Sequence, residues 1–271
     1  MSDIDKEHYT VKRDEEDSGP EIPFVNSLTY NDLRESLLYG VRDFNKAPLF
    51  GLFFGSIFAL GGIFLVVSLY VWDKGWMIYP MLFGFPLIGP FAAVGLYEVS
   101  RRIEKGEPLV WREILTVVFR QRKRELPWMA FVMLFIFWIW MYQVRLLLAI
   151  FLGRISFTSW TDFFQIITTT PEGWMFIVVG HIVGACFALL LFSITVVSLP
   201  LLLDSELDVI SAMITSVKTV LNNPLVMLSW GVFVTLAIMA SFLPLFFGLV
   251  IVLPVLGHTT WHIYKRAVQT R

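Results

Sequence analysis

Long stretches without a charged side chain are the feature that most constrains this chain. No Asp, Glu, Lys or Arg occurs in residues 47–72, 75–97, 126–144, 173–203 or 219–264. A helix needs about 20 consecutive apolar residues to cross a bilayer, so each run can hold at least one span. Only 16% of the 271 residues are charged, against roughly 25% in soluble domains. The sequence therefore predicts an all-α polytopic membrane protein and excludes a soluble enzyme or a nucleic-acid-binding protein.

The number and direction of the spans follow from the same runs. The last run is too long for one helix and contains the turn-forming residues Ser241 to Pro244, so it is divided in two. The predicted transmembrane helices are 48–72, 76–98, 126–145, 174–200, 224–241 and 243–264. Six spans place both termini on one side, together with 18 basic residues, and leave only Lys74, Arg145 and Arg154 on the other. The positive-inside rule then makes the termini cytoplasmic.

The first residues differ in composition from the rest of the chain. Residues 1–24 are polar and mostly acidic, with Asp14 to Asp17 at their centre. They have no basic segment followed by an apolar stretch, so they do not resemble a signal peptide. We expect a disordered, acidic cytoplasmic tail followed by a six-span membrane domain over 25–271. The single cysteine, Cys186, has no disulfide partner.

A similar segment precedes three of the spans. Residues 29–45, 108–125 and 204–223 each have apolar residues three and four apart and end near a proline. This spacing predicts three amphipathic helices on the cytoplasmic side, at the level of the lipid headgroups. The sequences around Pro48 and Pro224 predict the same turn, since proline ends one helix and suits the start of the next. The apolar positions are Leu33, Leu37, Val41 and Phe44; Val110, Ile114, Val117 and Val118; and Leu207, Ile210, Ile214, Val217 and Leu221.

The pattern suggests a threefold repeat with units at about 29–98, 108–200 and 204–266. Repeats place substrate sites at their interfaces in many transporters. The alternative is that juxtamembrane helices simply accompany any membrane protein built from helical hairpins.

Three histidines are candidate polar or ligand-binding residues within the membrane. His181 lies between Gly180 and Gly184, where small neighbours favour a hydrogen bond across the helix bundle; a proton-transfer or ligand role is the alternative. His258 and His262 are four residues apart on one helical face, near the cytoplasmic end of the last span. That spacing can bind a metal, but no acidic or cysteine ligand accompanies the pair in the sequence. We expect membrane-interface residues and no metal site.

Two further groups of residues are candidates. Pro80, Pro86 and Pro90 predict a break in the second span, since proline removes a backbone donor. The break would form a substrate site in a transporter, or a kink that serves packing alone. Basic residues after this span are candidate contacts for anionic lipid, or they only set the topology. They are Arg101, Arg102, Arg120, Arg122, Lys123 and Arg124.

The last third resembles a family of uncharacterised bacterial integral membrane proteins, a domain of unknown function. The resemblance lies in residues 199–204, 212–224, 244–249 and 254–262, and it extends from about Val25 to the C-terminus. It implies a bacterial inner-membrane location and assigns no functional residue. Some relatives are labelled cytochrome c oxidase subunit I, which needs six histidine ligands; this chain has four histidines.

The sequence contains no motif for catalysis or cofactor binding. There is no deep carboxylate, no phosphate-binding glycine loop and no HExxH or GxSxG pattern. We therefore expect no enzyme activity, no cofactor and no nucleic-acid partner. The favoured function is a non-catalytic membrane protein that assists a larger membrane complex or organises membrane lipids. The alternative is a transporter or channel for a small or lipidic solute.

Overall fold

The structure, a computed structural model, describes residues 23–72, 78–121, 125–153 and 160–269. Nearly all of the predicted acidic tail, together with Lys74, Arg122, Lys123, Arg124 and Arg154, lies outside these residues. The regular secondary structure of the described chain is helical apart from two very short strands, β1 (Phe24–Val25) and β2 (Val268–Gln269). The helices are α1 (Tyr30–Lys46), α2 (Pro48–Tyr70), α3 (Ile78–Lys105), α4 (Trp111–Gln121), α5 (Leu126–Leu152), α6 (Trp160–Thr169), α7 (Pro171–Thr195), α8 (Ser198–Asp204), α9 (Val209–Asn222), α10 (Pro224–Phe242) and α11 (Leu249–Ala267).

Among the described residues, four helical segments are long and apolar enough to cross a membrane. They are α2, α5, α7 together with α8 (Pro171–Asp204), and α10. The all-α polytopic membrane class is therefore confirmed. Helices α3 and α11 are not among the segments that combine sufficient length with sufficient hydropathy. Both have basic residues in their last turns. The second and sixth spans stay predictions.

The turns before Pro48 and Pro224 have the same backbone conformation, as predicted. Ala47 has φ −134° and ψ 53°, and Asn223 has φ −129° and ψ 51°. Each residue donates its backbone N–H to a carbonyl four residues earlier. In each case the proline occupies the first turn of the next helix, where its missing N–H is not needed.

The last two long helices are joined by a tight turn, close to the predicted position. Helix α10 ends at Phe242 and α11 begins at Leu249, six residues later than the sequence predicted. Leu245 and Phe246 both adopt positive φ, at 49° and 68°. Side chains avoid this conformation because Cβ approaches the following carbonyl, which is why sequence propensities place the helix start too early.

The break that the sequence predicts in the second span is not seen in helix α3. The helix runs without interruption from Ile78 to Lys105, through Pro80, Pro86 and Pro90. A proline within a helix removes one hydrogen bond and bends the axis, and here the helix continues past each of them. The helix is therefore not interrupted at these prolines, and a substrate site in this span stays a prediction.

Helix α1 buries its polar face against another helix, and its apolar stripe is only partly covered by protein. Ser36, Gly40 and Asp43 are its buried residues, whereas Val41 is 40% exposed. The buried face lies against α11, where a Cβ at residue 40 would be 2.1 Å from Oγ1 of Thr259. Helix α1 therefore packs on α11 through its small and polar residues.

Helix α9 repeats this arrangement. Its buried face contains Ser211, Thr215, Ser216 and Thr219, while Leu221 is exposed. The buried face packs against α7 and α8. By contrast, α4 buries Ile114 from its predicted apolar stripe and packs against α3.

The core lies around α8, whose residues from Ser198 to Leu203 are all buried. This short helix contacts α3, α5, α7, α9 and α11. Near it, β1 pairs with β2 in antiparallel fashion, so the two ends of the described chain are adjacent. Asn223 holds the first segment in place, because its side chain accepts a hydrogen bond from the Leu28 N–H at 2.6 Å and donates one to the Asn26 carbonyl at 3.1 Å.

Candidate anionic-lipid site and buried histidine cluster

The loop between α3 and α4 brings basic residues of both helices together. Helix α3 ends at Lys105, and Gly106 adopts φ +69°, a conformation that glycine tolerates best. Trp111, the first residue of α4, stacks on Phe50 of α2 with ring centroids 4.0 Å apart. These two features hold α4 beside the C-terminal end of α3.

A buried carboxylate organises the α3 side of the site. Glu98 is fully buried and accepts hydrogen bonds from Nε of Arg101 and Nε of Arg102, both at 2.7 Å. Arg102 also donates to the Pro108 carbonyl at 2.9 Å and to the Glu113 carboxylate. A buried charge is costly unless it is paired, so this network holds the Arg102 guanidinium in one position.

The groove beside this network has a volume of about 500 Å³. It is lined by Arg102, Arg112, Glu113, Thr116, Val117 and Arg120. Arg112, Thr116 and Arg120 follow one another at intervals of four residues, which places them on one face of α4. The guanidiniums of Arg112 and Arg120 are exposed, and neither has a carboxylate partner among the described residues. The groove therefore offers uncompensated positive charge.

Only some of the basic residues that the sequence singled out line the groove. Arg102 and Arg120 line the groove. Arg101 is bound by Glu98 outside the groove lining, and Arg122, Lys123 and Arg124 lie outside the described residues. Sequence reasoning did not single out Arg112, although its distance of eight residues from Arg120 would have placed both on one helical face.

A second polar cluster lies where α1, α3 and α11 meet. Nδ1 of His258 lies 2.8 Å from Oγ of Ser100, and Nε2 of His262 lies 2.7 Å from Oδ2 of Asp43. His258 is fully buried, and its Nε2 has no hydrogen-bond partner among the described residues. His258 is therefore enclosed by protein, and its expected position at the level of the membrane interface stays a prediction.

The two histidines are hydrogen-bonded to different helices. Among the described residues, no group of three or more His, Cys, Asp or Glu side chains is arranged to hold a metal ion. His258 and His262 instead contact two different helices, since Ser100 belongs to α3 and Asp43 to α1. These contacts therefore connect α11 to both α3 and α1.

His181 occupies a different position from the one predicted. Its side chain is exposed, and Nδ1 lies 2.7 Å from the Ile177 carbonyl of the same helix. A Cβ on the neighbouring Gly180 would meet nothing within 4 Å. The hydrogen bond expected across the bundle is therefore not formed, because this face of α7 points away from the neighbouring helices.

The comparison with protein families gives a match to part of the chain. Residues 78–204 match the family described as "Predicted integral membrane protein (DUF2189)". The resemblance to an uncharacterised family of membrane proteins is thus confirmed over a segment that begins with α3 and ends with α8. The C-terminal motifs after residue 204 lie outside the match. No curated protein and no solved structure matches the chain.

Proposed function

We propose that this chain is a non-catalytic inner-membrane protein that binds and organises anionic lipid at the cytoplasmic surface. The observation that carries the proposal is the groove between α3 and α4. Arg102 is held there by Glu98 and Glu113, while Arg112 and Arg120 have no carboxylate partner among the described residues. Anionic headgroups bind basic pockets at the ends of transmembrane helices, at about 1 kcal/mol for each basic residue near the surface.

The proposal includes six spans arranged as three units. Each unit consists of an amphipathic helix followed by a pair of long helices. Helix α4 packs against α3, α9 against α7 and α8, and α1 against α11. Each amphipathic helix thus contacts the last helix of the preceding unit, and the contact of α1 with α11 closes a ring. Such a cyclic order is what a threefold repeat would produce.

Burial along the first and third units supports the same repeat. With Ala47 aligned to Asn223, the buried residues Ser36, Gly40 and Asp43 correspond to buried residues of α9. The alignment continues into α2 and α10, where three further buried positions coincide. The corresponding residues of the third unit are Ala212, Ser216 and Thr219, and the further pairs are Phe50 with Val226, Gly51 with Met227, and Phe54 with Trp230.

The adjacent chain ends support the proposed orientation. Since β1 pairs with β2, the described ends lie on one side of the bundle, which an even number of spans requires. The excess of basic residues on that side favours the cytoplasm. The groove would then face the leaflet surface whose negative potential attracts basic segments.

The direct test measures lipid dependence of the purified, full-length protein. Binding to phosphatidylglycerol-containing vesicles is compared with binding to phosphatidylcholine vesicles, for the parent chain and for Arg112→Gln with Arg120→Gln. We expect anionic lipid to bind the parent and to bind the double variant at least fivefold more weakly. The matched control is Lys218→Gln, which removes an exposed charge from α9. Equal binding of all three proteins would contradict the proposal.

A role beside a larger membrane complex is the second candidate. It is favoured by the exposed apolar surface of α5, which contains an apolar stretch of 18 residues with only 11% of them buried. Phe131, Phe135 and Trp138 belong to that surface. Purification from native membranes tests it: a stoichiometric integral membrane partner supports the role, and elution of the chain alone argues against it. The transporter alternative stays a prediction, which neither the continuous helix α3 nor the exposed His181 supports.

A further inference from the structure

The groove between α3 and α4 carries a definite excess of charge. Its lining contains three arginines and one glutamate, so two positive charges are uncompensated within it. Glu113 is engaged by Arg102, whose guanidinium is also bound to Glu98 and to the Pro108 carbonyl. The two uncompensated charges therefore belong to Arg112 and Arg120.

The two free arginines are well separated along α4. Eight residues of helix correspond to about 12 Å of rise, and Thr116 and Val117 occupy the lining between them. The Thr116 hydroxyl donates to the Arg112 carbonyl of its own helix, so it has no proton left for a ligand. Each guanidinium can instead bind one phosphate group through two parallel hydrogen bonds.

We infer that the groove selects a lipid whose headgroup carries two phosphate groups, one bound by Arg112 and the other by Arg120. This inference rests on the proposed anionic-lipid function and specifies its ligand. A headgroup with a single phosphodiester would leave one arginine of the groove unpaired. Two phosphodiesters linked in one headgroup neutralise both arginines, and Val117 offers apolar contact to the adjoining acyl chain. Arg102 acts as a positioning residue, because its contacts with Glu98, Glu113 and Pro108 set the distance between α3 and α4.

The experiment compares lipids at equal surface charge. Full-length protein is titrated with phosphatidylcholine vesicles that contain either cardiolipin, with two phosphodiesters per molecule, or twice the molar amount of phosphatidylglycerol, with one. We expect about fivefold tighter binding to the cardiolipin vesicles, which corresponds to one additional arginine–phosphate contact. Arg112→Gln and Arg120→Gln should each abolish this preference, whereas Lys218→Gln should retain it.

The outcomes separate this inference from the proposed function. Equal affinity for the two anionic vesicles would overturn the two-phosphate inference and leave the anionic-lipid function standing. Equal affinity for anionic and phosphatidylcholine vesicles would overturn both. Inorganic pyrophosphate is added as a competitor: if it displaces cardiolipin at millimolar concentration, the ligand is a soluble diphosphate and the inference fails. Circular dichroism of each variant establishes that it is folded, so that a loss of binding reports on the groove.

Discussion

Oδ2 of Asp43 lies 2.7 Å from Nε2 of His262, and this contact joins the first helix to the last across 219 positions of sequence. Asp43 is buried on the face of α1 that packs against α11. A buried carboxylate is stable only when it is hydrogen-bonded. The pair therefore gives α1 a specific position on α11, which apolar contacts alone would not define.

The Asp43–His262 pair predicts energetic coupling between α1 and α11. In a double-mutant cycle, Asp43→Ala and His262→Ala should each lower the unfolding temperature in detergent. The double variant should lose less stability than the sum of the single losses, with a coupling energy of about 1–2 kcal/mol. Additive losses would show that the two side chains do not stabilise each other.

Gly40 predicts a strict limit on side-chain size at the same interface. A Cβ there would lie 2.1 Å from Oγ1 of Thr259 and 2.8 Å from its backbone nitrogen. Because backbone atoms cannot rotate away, Gly40→Ala should cost about 1–3 kcal/mol of unfolding free energy. The control is Gly180→Ala, also within a helix, where a Cβ would meet nothing within 4 Å. Similar stability of the two variants, measured by thermal unfolding, would contradict this packing.

We expect the ionisation of Asp32 to make the stability of the fold around α1 depend on pH. The hydrogen bond from the Thr29 side chain, aided by Arg266, lowers the pKa of Asp32 below its ordinary value of 3.8. A carboxyl group with a lowered pKa stabilises the fold above its unfolded pKa, and that stability is lost as pH falls through the folded pKa. Asp32→Asn should therefore reduce the unfolding temperature at pH 6 and have a smaller effect near pH 3. An equal effect at both pH values would exclude ionisation as the cause.

The six-span arrangement predicts which residues reagents reach from each side of the membrane. In a Cys186→Ala background, Arg145→Cys should react in intact cells with a maleimide that does not cross the membrane. Lys218→Cys should react only after the membrane is opened, because α9 lies on the side of the paired chain ends in this topology. Labelling of Lys218→Cys in intact cells would contradict the proposed orientation.

Much of the helical framework could be predicted from local sequence. The charge-free runs locate the long helices, since a helix satisfies its own backbone in an apolar environment. Proline at 48 and 224 predicts two turns with the same backbone conformation, and the structure confirms them. The continuity of α3 through its prolines was not predicted, because packing against other helices can outweigh the loss of single hydrogen bonds.

The sequence by itself determined the membrane class, most helix positions and the concentration of basic residues after α3. Only the tertiary structure decided which helical faces are buried. In a membrane protein apolar side chains can face lipid, so the apolar stripes of α1 and α9 did not identify their buried faces, which contain Ser36, Gly40 and Asp43 in α1 and Thr215 in α9. The groove arginines and the Asp43–His262 pair depend likewise on contacts between separate helices, and these contacts arise only when the helices pack.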